Sequence, residues 1–330
     1  MSKKWIRGGL TLAILAAITS QVDLVVIGKL MERVDPTWLV AAFLVLFVVR
    51  VLVAWRFQVL LGAQGIDSGL AGMVRVVLVS NALGHLLPAG IGQDVIRGHQ
   101  VVRTHGRAVD VSASIIHERL AGIASMLAVA FVAGATWLTG SLRFWTIGGV
   151  ALVGVALVFG CSWARSWSGR GGLLPAGLPL SERVRVALSD VASAVADTER
   201  VRPVLIPVLG ISVAVQLSRC VVFWCLYAAL GDPVSLVHAL AFVPLVFLAT
   251  SIPVSVGGLG VREAALIALV GQLGVSVEVN VAVGLAFQCL TLSVLLPGLV
   301  LYGLRGIASP SVPVAGHDAQ IPVARTSADS

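Results

Sequence analysis

The sequence predicts an all-α, polytopic membrane protein, with about six full transmembrane helices and two opposed re-entrant helical hairpins in an inverted-repeat arrangement. Three observations carry this. The chain is 58% hydrophobic and only 12% charged, with mean hydropathy +0.98, whereas a soluble domain is about one quarter charged. Leu120–Leu142, Phe144–Trp163 and Val279–Leu304 hold no Asp, Glu, Lys or Arg, and each is long enough to cross about 30 Å of hydrocarbon at about 1.5 Å per residue. Finally, the cations cluster between apolar runs, as they do in loops kept on the cytoplasmic side of a membrane. A soluble fold would have to bury several such helices with no polar face to cover them.

The elements follow in order. Gly8–Ile27 reads as the first span, behind Lys3, Lys4 and Arg7 and with Asp23 near its far end. It looks like a signal peptide but shows no small-x-small cleavage site, so it is read as a retained anchor helix. Trp38–Leu61 is the second span, with Arg50 and Arg56 in its later half. Arg56 is placed to snorkel to the interface. Arg50 lies about 18 Å along the helix from Trp38, which makes it either a deep functional cation or a snorkelling anchor. Val76–Leu87 is too short to span and runs into "LLPAGIGQDVIRGHQ" at 86–100.

Ser112–Leu138 and Phe144–Trp163 are full spans, and residues 165–202 form a polar loop. Within that loop, Val184, Leu188, Val191 and Val195 share one helical stripe, which suits a helix lying on the membrane surface. Pro203–Leu230 is a span, Val237–Ile252 stops at Pro253, Ala264–Gly274 is short, and Val279–Leu304 is the last span. Residues 1–305 thus form a single transmembrane domain, with a first half at 1–164 and a second at 203–305. The Pro-, Ser- and Ala-rich residues 306–330 read as a disordered tail.

Sidedness follows from the basic clusters. Lys3 to Arg7, Arg97 to Arg107, Arg165 to Arg202 and Arg305 all fall on one side if residues 73–98 and 237–274 enter and return as hairpins from opposite faces. Both termini are then cytoplasmic, and the protein is a multi-pass protein of the cell membrane. This placement accounts for the net charge of +7 through topology and anionic headgroups, without nucleic acid. The four cysteines, Cys161, Cys220, Cys225 and Cys289, lack metal-ligand spacing, and no HExxH, EF-hand or GxxxxGK[ST] pattern occurs. No metal, cofactor or ATP hydrolysis is expected.

Two stretches match. "PAGIGQDVIR" (88–97) and "PVSVGGLGVR" (253–262) both open on Pro, carry a branched residue and Gly at the fourth and fifth positions, and end on Arg. Pro88 and Pro253 remove a donor and break the incoming helix. Gly92, Gly257, Gly258 and Gly260 permit a tight turn and close approach. The helices that restart offer free N–H groups to an anion, to which Arg97 and Arg262 add paired donors. Asp94 and Glu263 stand near to balance charge or carry protons. A structural kink with an interfacial Arg262–Glu263 pair is the plainer alternative. "HERLAGIASMLAV" adds His117, Glu118 and Arg119 at the head of a charge-free span, as a third part of the site or as a solvated helix start.

At these residues the chain resembles the lysylphosphatidylglycerol synthase transmembrane, or flippase-like, family. The resemblance rests on "LLPAGIGQDVIR", "HERLAGI" and "PVSVGGLGVREAAL", with Gln93 where a second Gly is common. It implies a module that carries an anionic or polyprenyl-phosphate-linked lipid across the bilayer. It does not extend to the cytoplasmic aminoacyl transferase of the best-known members, nor to their substrate. The headgroup would meet Arg97, Arg262, Arg50, Arg119 and the glycine-turn amides, with Asp94, Glu118 and Glu263 as counter-charges. The alternative is a non-transporting partner of a membrane glycosyltransferase or lipid-modifying enzyme, docking through residues 181–200. An embedded transferase using Glu118 or Glu263 as base lacks a nucleophile–base arrangement, so no enzyme is expected.

Overall fold

The structure, a computed structural model, describes residues 24–84, 92–137, 148, 200–232, 234–251 and 258–305. Among them the backbone is helical, with no strand. Among the described residues, four helices are long and apolar enough to cross a membrane: Pro36–Ala63, Ala108–Ala135, Arg202–Ala229 and Val277–Gly303. The expected spans at Gly8–Ile27 and Phe144–Trp163, the surface helix and the tail lie outside the described residues, apart from the end of the first span at residues 24–27.

Helix α1 is Leu24–Glu32 and α2 is Pro36–Ala63. Asp35 caps α2, its carboxylate accepting from the Thr37 N–H at 2.8 Å, and Pro36 takes the first helical position, where a missing N–H costs nothing. Val40, Leu44 and Val48 are exposed while Ala42, Leu46 and Val49 are buried, so one stripe of α2 faces lipid and another the core. Helices α3 (Leu70–Gly84) and α4 (Gly92–His105) pack together and flank the first proline–glycine stretch. Helix α5 (Ala108–Trp137) follows almost at once, its start held by Arg107 donating to Asp110 at 2.9 Å. Beyond a 3-10 turn come α6 (Leu205–Ala229), α7 (Leu236–Ser251), α8 (Val261–Val270) and α9 (Val277–Arg305).

The packing is crossed between the two halves. Helices α2 and α6 pack along each other; α3 of the first half lies against α9 of the second, and α7 of the second against α5 of the first. Gly298 makes the α3–α9 contact possible: a Cβ there would strike the Leu78 carbonyl. The largest apolar cluster gathers Phe223, Leu226, Phe242, Leu266 and Phe287 from α6 to α9. One polar tie crosses it. The buried Tyr227 hydroxyl donates to Asn280 Oδ1 at 2.6 Å, and Asn280 Nδ2 donates to the Ser276 carbonyl at 2.9 Å, so both groups are satisfied inside the apolar body.

Candidate functional site: an arginine-lined cavity

Six helices close around a cavity of about 200 Å³. Helix α2 contributes Arg50, Val53 and Arg56, spaced three apart so that they follow one side of the helix. Helix α3 adds Ser80 and Asn81, and α4 adds Gln93, Asp94 and Arg97. Glu118, Arg119 and Gly122 come from α5, Ser212, Gln216 and Arg219 from α6, and Ser251 from the end of α7. Five arginines thus share one wall with two carboxylates.

Three of those arginines share the two carboxylates, and Arg97 alone reaches both. Arg56 donates to Glu118 Oε1 at 2.8 Å and to the Ser212 hydroxyl at 3.0 Å. Arg97 reaches Glu118 Oε2 at 2.7 Å and Asp94 Oδ1 at 2.8 Å, with its guanidinium 4.3 Å from the centre of the Phe57 ring. Arg119 closes on Asp94 Oδ2 at 2.5 Å. The chain of charges joins α2, α5 and α4, and the Ser212 hydroxyl ties it to α6. Arg56, Arg97 and Glu118 are 7%, 6% and 3% exposed. At that depth a charge is tolerated only when paired and hydrogen-bonded.

The second glycine motif is built differently. Gly258 and Gly260 take φ of 77° and 81°, values that a side chain would strain, and α8 starts at Val261 directly after them. The buried Glu263 carboxylate turns back and accepts the Gly260 N–H at 2.6 Å. An acid of this chain therefore takes the helix-end amide that the sequence offered to an incoming anion. Arg262 donates to Gln288 Oε1 at 3.2 Å and lies 4.7 Å over the Phe287 ring, with Glu263 Oε1 at 4.0 Å. Gly284 of α9 passes so close that a Cβ would meet Glu263 Oε1 at 2.5 Å.

The structure brings Arg50, Arg97, Arg119, Asp94 and Glu118 onto one cavity wall. Arg262, Glu263, Gly258, Gly260 and the buried Gly92 are not on it, and Pro88, Pro253 and Gly257 lie outside the described residues. An aromatic bridge joins the two places. Arg219 lies 4.7 Å over Phe247, and the Phe247 and Phe287 rings meet edge to face at 5.8 Å. Phe223 touches both rings.

Three contributors went unrecognised in the sequence. Arg56, expected at the interface, is a buried hub, because Glu118 and Ser212 hold it inward. Gln216 and Arg219 lay in a run read only as a span; Arg219 is its one charge, and an intramembrane cation is the signal that marks it.

Five guanidiniums on one cavity wall, two of them buried and two half-buried, are suited to holding an anion. The family model for the lysylphosphatidylglycerol synthase TM region matches residues 4–298. The chain belongs to that family. No curated protein and no solved structure matches it. All the residues of the cavity wall, and both proline–glycine motifs, fall within the stretch matched to the lysylphosphatidylglycerol synthase TM region.

Proposed function

We propose that this member of the lysylphosphatidylglycerol synthase TM family is a flippase-like lipid translocase. It moves an anionic phospholipid or polyprenyl-phosphate-linked lipid across the cell membrane. The observation that carries this reading is the cavity itself, with five arginines and two carboxylates lining one space between six helices. A charged headgroup does not cross hydrocarbon unaided, because stripping its water costs tens of kcal/mol in ideal estimates of about that order. Guanidiniums and side-chain amides replace that water while the tails stay in lipid.

In this reading residues 73–98 and 237–274 are opposed re-entrant hairpins, six spans cross the bilayer, and both termini are cytoplasmic. The crossed packing of α3 on α9 and of α7 on α5 supports an inverted repeat, in which one half rocks against the other to change access. No covalent step is involved, and the chain works without a partner enzyme.

The test is headgroup movement in liposomes that hold only the purified chain. Movement of a labelled anionic lipid is expected to exceed that in protein-free liposomes. It is expected to fall at least tenfold in the Arg50→Gln/Arg219→Gln double variant. Movement equal to that in empty liposomes overturns the reading and leaves a partner role.

A further inference from the structure

The five arginines fall into two groups. Arg56, Arg97 and Arg119 share the carboxylates of Asp94 and Glu118. Arg50 and Arg219 make no ion pair among the described residues, Arg219 meeting only the face of Phe247. They stand on α2 and α6, the two helices that pack along each other, and both line the cavity.

One turn before Arg219, on the same side of α6, Gln216 also lines the cavity. It is 1% exposed, and among the described residues neither its Nε2 nor its Oε1 has a hydrogen-bond partner; the buried Arg50 Nε is likewise without one. A buried carboxamide with both ends unsatisfied is costly, and native structures keep one where a ligand or water answers it. Here a donor, an acceptor and two guanidiniums without counter-ions line one cavity.

We infer that Arg50, Gln216 and Arg219 form a binding station for a doubly charged phosphoryl group, a phosphomonoester or a diphosphate. The inference rests on the proposed lipid-translocase reading and names the headgroup chemistry of that same cavity. Two half-buried cations that face one cavity are neutralised by a group with two negative charges; a phosphodiester carries one and leaves a guanidinium uncompensated. Guanidiniums bind phosphoryl oxygens in pairs. Gln216 Nε2 donates to a further oxygen, and its Oε1 accepts from a hydroxyl on the group or beside it. The hairpin arginine, Arg97, then positions: it braces Glu118 and leaves Arg50 and Arg219 to hold the ligand.

The test is binding, measured apart from transport, on the full chain in phosphatidylcholine nanodiscs. Probes are inorganic phosphate and pyrophosphate in solution, and phosphatidic acid or phosphatidylglycerol added to the disc. Native mass spectrometry and the thermal unfolding midpoint are the readouts. Phosphatidic acid, or pyrophosphate, is expected to bind at least tenfold tighter than phosphatidylglycerol. Preference for phosphatidic acid identifies a lipid headgroup, and preference for pyrophosphate alone a soluble ligand. Arg50→Gln and Arg219→Gln are each expected to weaken binding at least tenfold, and Lys29→Gln, an exposed position of α1 away from the cavity, to leave it unchanged.

Gln216→Glu guards against misfolding. It supplies the missing carboxylate, so it is expected to raise the unfolding midpoint while abolishing binding. Equal binding of phosphatidic acid and phosphatidylglycerol, or full binding by Arg50→Gln, Arg219→Gln or Gln216→Glu, overturns the inference. Tight, selective binding without lipid movement in liposomes retains the station and removes the translocase; lipid movement without selectivity does the reverse.

Discussion

Glu118 is the residue on which the charge network turns. Its two carboxylate oxygens hold Arg56 and Arg97 at 2.8 and 2.7 Å, and the side chain is 4% exposed. Removing it leaves two buried guanidiniums facing each other, and breaking a buried pair this way costs about 3–5 kcal/mol. Glu118→Ala is therefore expected to unfold at markedly lower temperature than wild type in a nanodisc melt. Glu118→Gln keeps one acceptor and is expected to lose less. An Arg56→Met/Glu118→Leu pair is expected to recover part of the loss, because removing both partners leaves fewer unpaired charges. Equal melting of wild type and Glu118→Ala would show that water replaces the carboxylate. His117, Glu118 and Arg119 were visible in the sequence as a polar cluster at a helix head. That Glu118 reaches back to Arg56 was not, because α2 and α5 are separated by two helices in the chain and meet only through packing.

At the scale of elements, the instructive helix is the short α8. Its start depends on two glycines at positive φ, followed by a glutamate that folds back on the Gly260 N–H. Loss of such a side-chain cap costs about 0.5–2 kcal/mol, and a side chain forced to the left-handed region costs about 1–2 kcal/mol. Glu263→Gln retains an acceptor and is expected to melt close to wild type, Glu263→Ala lower, and Gly260→Ala lower again. Differential melts in one lipid composition check the ranking; Gly260→Ala matching wild type would refute the account of this turn. The sequence spoke clearly here about the restart at Val261. Expected Val237–Ile252 is observed as Leu236–Ser251, and expected Trp38–Leu61 as Pro36–Ala63, because proline, glycine and the charged flanks coincide with the ends of the apolar runs. What the motif does with its free amide was not legible: the same acid that reads as a counter-charge in a row of letters becomes a cap once α8 turns.

At the scale of the whole molecule, the crossing of α3 onto α9 and α7 onto α5 ties each half to the other. The proposed pair of opposed hairpins would place the turn at Gly106 and the turn at Gly274 on opposite faces of the membrane. Single cysteines at His105 and Gln272, in a background lacking the native thiols, are expected to label from opposite sides in oriented vesicles. Buried Cys220 and Cys225 and exposed Cys289 are among those to replace first. Labelling of both from one side would exclude the inverted arrangement. The four spans that the structure describes, and their lengths, were readable because hydrocarbon thickness dictates them. The pairing of α2 with α6 was not, since helix spacing records which side a residue takes but not which helix it meets. Gln216 and Arg219 acquire their meaning only beside Arg50.

The three phenylalanines carry a mechanical consequence. Phe223, Phe247 and Phe287 belong to α6, α7 and α9, and their rings are in mutual contact. Close-packed rings transmit strain to one another. A tilt of α7 that reseated Phe247 would tug the perch of Arg219 and, through Phe287, jostle that of Arg262 in the same stroke. The two cations, one in each of these places, thus lean on one shared cluster of rings, so a displacement at one end would reach the other through packing rather than through charge.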